Sequence, residues 1–197
     1  MPKDTSILVV RLSAIGDLVL VAPITAQLAR EGYSVTVLCK DAYRSVASCL
    51  PGVKAVLSWE KDRAGIKAEV LTFDEVLDLQ GTSKSKHWCG QLKRPIHTYE
   101  KPYLRRALLL LTKQKSFALT PVVQRYAAAA APFFTGGFSP KAVEYRLCLP
   151  EVHLELPQHP YIALVLGGSY AGKRLDFHAW REIMDGLARF QMPLALV

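Results

Sequence analysis

No apolar run approaches the roughly 18 residues of a membrane-spanning helix, so the sequence excludes an ordinary transmembrane protein. The start lacks a signal-peptide plan as well, since the apolar run 7–10 is short and is followed at once by Arg11. Cysteines are few. Cys39, Cys49, Cys89 and Cys148 show neither C-x-x-C pairing nor metal-ligand spacing, and they read as ordinary thiols of a reducing compartment. The histidines at 87, 97, 153, 159 and 178 are equally scattered, which argues against a metal site. Also absent is the dinucleotide fingerprint G-x-G-x-x-G: only Gly16 follows the first strand, which argues against a nicotinamide dehydrogenase. These absences point to a cytoplasmic protein without a metal or redox cofactor.

What is present is a core and a localised charge. Half of the 197 residues are hydrophobic (50%), ample for a globular interior. Lys84, Lys86, Lys93, Arg94, Lys101, Arg105, Arg106, Lys113 and Lys115 stand against one acid in that stretch, Glu100, an excess equal to the whole chain's +8. Such an excess suggests an anionic partner or an anionic membrane surface. A solvated helical face is the plainer reading. Nucleic-acid binding is a third, but interleaved aromatics are missing and 108–111 is too apolar for a phosphate-facing stripe.

Along the first half, strands are expected over 7–11, 34–39, 53–58 and 75–79, alternating with helices over 17–30, 41–48 and 83–92. That alternation predicts an α/β fold with a right-handed parallel sheet covered on both faces. An amphipathic basic helix is expected over 102–112, and an alanine-rich helix packed on the sheet over 121–134. Residues 136–160, rich in proline and glycine with an extended piece at 145–149, read as a connection. The alternation then restarts: strand 161–166, turn 167–174, helix 177–190 and a strand from 193. Two domains follow, 1–150 and the beginning of a second over 151–197.

Ligands of open α/β sheets bind at the C-terminal edge of the strands. Two turns there carry chemistry. Leu12-Ser-Ala-Ile-Gly-Asp17 offers free N–H groups, a glycine and a carboxylate. Asp17 is either a helix cap or a general base that takes a proton from an attacking hydroxyl. Gly167 to Arg174 nearly matches the phosphate-binding loop but ends in Arg174 where a magnesium-holding hydroxyl belongs, so a nucleoside triphosphatase is a poor fit. Its glycines (Gly168 among them), Ser169, Lys173 and Arg174 can still hold a diphosphate. At the end of the fourth strand, Gln80 and Lys84 are candidates to reach the cleft beside Asp17.

In order and spacing, ILVVRLSAIGDLVLVAPI, DEVLDLQGTSKS, RYAAAAAP and YIALVLGGSYAGKRLDFHAWREI make the whole chain resemble glycosyltransferase family 9, the ADP-heptose:lipopolysaccharide heptosyltransferases. The resemblance implies a GT-B glycosyltransferase with a Rossmann-like acceptor domain and a second, here truncated, Rossmann-like donor domain. It implies inverting transfer of a sugar, heptose in that family, from a nucleotide-diphosphate co-substrate without a cofactor or essential metal. The family's general base falls on Asp17, and its donor-diphosphate contacts fall on Ser169 and Lys173. The tryptophan and proline usual after the Lys-Arg pair are Leu175 and Asp176 here. On this reading Ser13, Gly16 and Asp17 receive the acceptor hydroxyl, with Gln80 and Lys84 beside them. The basic stretch holds an anionic lipopolysaccharide-core acceptor near the inner membrane face, a peripheral membrane contact, with no nucleic acid as partner. The chain alone is expected to be an incomplete transferase. Alternatives are a non-catalytic acceptor-binding module and a basic nucleic-acid-binding protein.

Overall fold

Ile7, Leu8, Val9 and Val10 have no exposed surface, as the central strand of a sheet covered on both faces requires. In the computed structural model, which describes residues 5–67, 72–138, 159–166 and 174–196, the chain forms two compact units, Met1–Pro150 and Glu151–Val197.

In the first unit that strand, β1 (Ser6–Val10), lies at the centre of a five-stranded sheet. Its neighbours are β2 (Ser34–Cys39) and β4 (Glu75–Asp78), with β3 (Val53–Ser58) and β5 (Ile96–Thr98) outside them. All pairings are parallel and the order is β3-β2-β1-β4-β5. The expected α/β class and parallel sheet are thus observed. Alternation along β1 divides the core. Ile7 and Val9 pack with Leu18, Ile24, Leu28 and Tyr126 on one face, whereas Leu8 and Val10 pack with Trp59, Trp88 and Leu92 on the other.

The helix expected over 17–30 is two helices, α1 (Ile15–Val19) and α2 (Ala22–Arg30). Pro23 explains the break: its ring would clash with the carbonyl four residues back, that of Val19, where α1 ends. In the first turn of α2 the missing proline N–H costs nothing. Gly32 closes α2 at φ +89°, a left-handed conformation suited to glycine. The helix expected over 41–48 opens as a 3-10 turn at Asp41–Tyr43 and continues as α3 (Arg44–Ser48). Two elements lack a sequence signal, α4 (Arg63–Lys67) and β5. α5 (Ser83–Cys89), α6 (Tyr103–Thr112) and α7 (Val122–Ala130) follow the sequence reading with shorter bounds. α7 packs on the sheet as expected, burying Tyr126, Ala127 and Ala130 in the core of the Ile7 face.

The second unit contains a parallel pair, β6 (Ile162–Leu164) with β7 (Leu194–Leu196), and α8 (Phe177–Ala188). The Asp176 carboxylate accepts from the Ala179 N–H at 2.8 Å and caps α8, a role that also accounts for an aspartate just past the basic turn. The extended piece expected at 145–149 lies outside the described residues. Among those described, no helix is long and apolar enough to cross a membrane.

The turn after β4 has little room. Gly81 has φ +56°, and a Cβ built there would sit 2.4 Å from the Tyr99 carbonyl oxygen. Gly81→Ala should therefore destabilise the first unit by at least about 2 kcal/mol, read as a lower urea midpoint at unchanged slope. An unchanged midpoint would show that the β4 turn is not held against Tyr99.

Candidate functional site

β1 delivers Arg11 to the C-terminal edge of the sheet, on the same face as Ile7 and Val9. Its side chain is only 5% exposed, so the guanidinium has left bulk water and must find partners in the protein. Nη1 donates to the Leu79 carbonyl at 2.7 Å, and Nη2 makes a short ion pair with the Asp17 carboxylate. The Tyr126 ring lies 5.7 Å away, and Nε is buried with no acceptor among the described residues.

Asp17 stands in the first turn of α1, where a carboxylate is favoured by the helix dipole, but it does not cap the helix. The cap position is Ala14, and no side chain serves it. The capping alternative is therefore set aside, because the buried guanidinium outbids the N-terminal amides for the carboxylate. Asp17 Oδ2 is held by Arg11, and the side chain remains 43% exposed.

A cavity of about 360 Å³ opens at Asp17. Its walls carry four cations, Arg11, Lys101, Arg106 and Arg125, against this single carboxylate. Tyr99, Tyr103 and Tyr126 supply aromatic surface. The Arg125 guanidinium is oriented by donating to the Tyr99 hydroxyl at 2.6 Å and to the Thr120 carbonyl at 2.9 Å. Burial and the neighbouring Arg11 push the Lys101 ammonium below its ordinary value of 10.5. Burial likewise raises the Tyr126 phenol to about 12, so it stays protonated near neutrality. With one negative group among four positive ones, the cavity suits a ligand carrying a phosphate or carboxylate.

The other predicted acceptor residues fall in different places. Ser13, in the turn after β1, and Gly16, in the first turn of α1, do not wall the cavity. A Cβ on Gly16 would meet nothing within 4 Å, so the glycine keeps that side of the turn open. Gln80 ties two strand ends together: its Oε1 accepts from the N–H groups of Leu12 at 3.0 Å and Ser13 at 3.3 Å. Lys84 does not reach the cleft beside Asp17. α5 covers the Leu8 and Val10 face of the sheet, and the Lys84 ammonium lies 5.9 Å from the Trp59 ring in a separate pocket with Arg63 and His87. Of the donor-loop residues, Gly168, Ser169 and Lys173 lie outside the described residues; Arg174 is described and exposed.

Behind Gln80 stands Asp78, a fully buried carboxylate. It accepts from the N–H groups of Gln80 (3.0 Å) and Gly81 (3.1 Å) and from the Ser85 hydroxyl (2.9 Å). Burial raises its affinity for a proton, and these three donors oppose that shift. Thr82 and Ser85 complete a capping box at the start of α5.

Arg11, Tyr99, Arg125 and Tyr126 were not marked by the sequence reading. A usable signal existed only for Arg11, a lone charge ending an apolar strand in phase with Ile7 and Val9. The basic stretch is not one surface: Lys101 and Arg106 wall the cavity, Lys84 is on the opposite face of the sheet, and Arg105 donates to the Ser116 and Ala118 carbonyls.

No family model matches the chain, and no curated protein sequence matches it. Solved structures do. Heptosyltransferase WaaC of E. coli with ADP is similar at 20% identity and a TM-score of 0.62, over 98% of this chain and 66% of that one. A glycosyl transferase family 9 protein from Veillonella parvula is similar at 14% identity and a TM-score of 0.63, over 100% of this chain and 63% of that one. The ADP-heptose lps heptosyltransferase II of E. coli is similar at 18% identity and a TM-score of 0.59, over 98% of this chain and 64% of that one. The shared feature is the fold. This chain has the fold of those transferases across nearly its whole length and spans just under two thirds of theirs.

Asp78→Ala should destabilise the first unit by about 3 kcal/mol or more, because it leaves two N–H groups and a hydroxyl without their acceptor. Urea unfolding measures this, and faster amide exchange at Leu12 and Ser13 would show that Gln80 has lost its place.

Proposed function

We propose that the first unit is the acceptor-binding half of an inverting GT-B glycosyltransferase, with Asp17 as the general base. The observation that carries this is a half-exposed carboxylate, fixed by Arg11, in a cavity whose other charged residues are all cations. The fold supports it: the similar E. coli enzyme WaaC is described with ADP and with ADP-2-deoxy-2-fluoro heptose. In this reading an anionic glycan of lipopolysaccharide-core type places its acid groups against Lys101, Arg106 and Arg125. Its attacking hydroxyl meets Asp17, which takes the hydroxyl proton as the oxygen bonds to the anomeric carbon of the donor sugar. The bond from that carbon to the diphosphate breaks on the opposite side, which inverts the centre, and its electron pair leaves with the nucleoside diphosphate.

The sequence segment carrying Gly168, Ser169, Lys173 and Arg174 is the proposed seat of the diphosphate, where its cations would offset the charge on the leaving group. The nucleotide-diphosphate sugar, heptose-bearing by this reading, is a co-substrate, and no separate cofactor is called for. On this reading the reaction would belong to the cytoplasm, where the resemblance puts the donor and acceptor together. Division of the basic stretch between two faces supports a small anionic acceptor over a nucleic acid.

Calorimetry with inorganic phosphate and glucuronate tests the cavity. Arg125→Ala should weaken binding about tenfold to a hundredfold. Affinity should also fall on the alkaline side, beginning below pH 10.5, because a bound anion favours protonated Lys101 and rising pH removes that proton. Binding indifferent to both would remove the cavity from the proposal.

In a form that carries a complete donor domain, Asp17→Asn should not weaken anion binding while lowering sugar transfer by about 10²- to 10⁴-fold. Transfer at the parent rate would exclude Asp17 as the base. Anion binding with no transfer by that form from any nucleotide-diphosphate sugar would favour the acceptor-binding module instead.

A further inference from the structure

Lys101 stands apart from the other lysines. It is the only lysine among the described residues that is not exposed, and it lies in the wall of the Asp17 cavity. Its backbone is clamped on both sides. The Tyr99 N–H donates to the Asp78 carbonyl at 2.9 Å, and the Tyr103 N–H donates to the Lys101 carbonyl itself at 2.8 Å. The side chain therefore leaves the backbone from a fixed point between β5 and α6.

A half-buried ammonium is ordinarily paired with a carboxylate. Here the single acid of the cavity is taken by Arg11, and Lys101 makes no ion pair among the described residues. Arg11, Arg106 and Arg125 share the cavity with it. A guanidinium keeps its proton under all ordinary conditions, whereas a lysine drawn out of water beside other cations gives its proton up. The downward shift of the Lys101 ammonium, caused by burial and by Arg11, agrees with this placement. The two kinds of cation thus have different uses: guanidiniums hold an anionic group, and Lys101 supplies a nitrogen lone pair.

We propose that Lys101 is a covalent capture site for an anionic aldehyde or ketone, bound as an imine while Arg106 and Arg125 hold its anionic group. No oxidant or reductant is needed. The ammonium gives one proton to water, and the neutral nitrogen bonds to the carbonyl carbon as the carbonyl π pair moves to oxygen. Both remaining N–H protons pass to that oxygen, the C–O bond breaks, and water leaves as the C=N bond forms. This rests on the anion-binding part of the reading above and not on sugar transfer.

Pyridoxal phosphate, an aldehyde that carries a phosphate, tests this on the parent chain, with cyanoborohydride present to reduce the imine to a stable secondary amine. Peptide mass mapping over time should show Lys101 modified at least about tenfold faster than the exposed Lys84 and Lys113, since the neutral fraction of an amine rises about tenfold for each unit its pKa falls. Inorganic phosphate should protect Lys101. Pyridoxal without its phosphate should modify it about tenfold more slowly or less. Arg125→Ala should slow the phosphate-bearing reagent about tenfold or more while leaving pyridoxal unaffected. Lys101→Arg should remove the fast phase and leave the slow modification of the exposed lysines. Lys101 modified no faster than Lys84 or Lys113, or a fast reaction indifferent to phosphate and to Arg125, would overturn the proposal. Phosphate bound in calorimetry without fast modification would overturn it and leave the acceptor reading standing. Fast modification with no sugar transfer by a form that carries a complete donor domain would do the opposite.

Discussion

Taking the Arg11 guanidinium out of water at the end of the central strand constrains everything around it. An uncompensated buried cation costs several kcal/mol, so the fold must supply acceptors at the points the guanidinium reaches. It supplies the Leu79 carbonyl at the end of β4 and the Asp17 carboxylate on α1. One side chain thereby joins the exits of two neighbouring strands and orients the single acid of the cavity. The same demand explains why Asp17, placed by sequence at a helix start, does not act as a cap.

Around that pair the remaining polar groups divide the work between support and binding. Asp78 and Gln80 spend their oxygens on backbone N–H groups of the two turns, which hold the strand ends in register while leaving the cavity to other side chains. Lys101, Arg106 and Arg125 come from the segment after β5 and converge on Asp17 from the other side. A partly desolvated cluster of like charges favours an incoming anion because the anion relieves repulsion that the protein alone cannot. Next to it, among the described residues, α6 exposes Leu104, Leu110 and Leu111 to solvent. Cavity and helix are adjacent through Tyr103 and Arg106, which belong to both.

Much of the fold was legible because local signals and the tertiary arrangement agree. The apolar runs at Ile7 to Val10 and Val35 to Cys39 and the glycine stop at Gly32 are features of nearest neighbours in sequence. α4 and β5 were not legible, since five residues with Gly65 at their centre and the three half-buried residues Ile96–Thr98 carry no periodicity of their own. Missing β5 meant missing Tyr99 and the placement of Lys101, which are set beside Asp17 by the pairing of β5 with β4. Lys84 failed for the complementary reason: adjacency to Gln80 in sequence says nothing about which face of the sheet α5 will cover.

By itself the sequence determined the parallel α/β class, the position of Asp17 at a strand-to-helix turn and the concentration of positive charge in one stretch. These follow from period, turn chemistry and composition, which are local. Only the tertiary structure decided that Asp17 pairs with Arg11, that Arg125 and the tyrosines complete its cavity, and that the basic stretch divides between two faces. It alone showed that the leucines of α6 point outward. Those outcomes depend on which distant segments pack together and on how buried charge must be compensated, and neither is encoded within any single window of the chain.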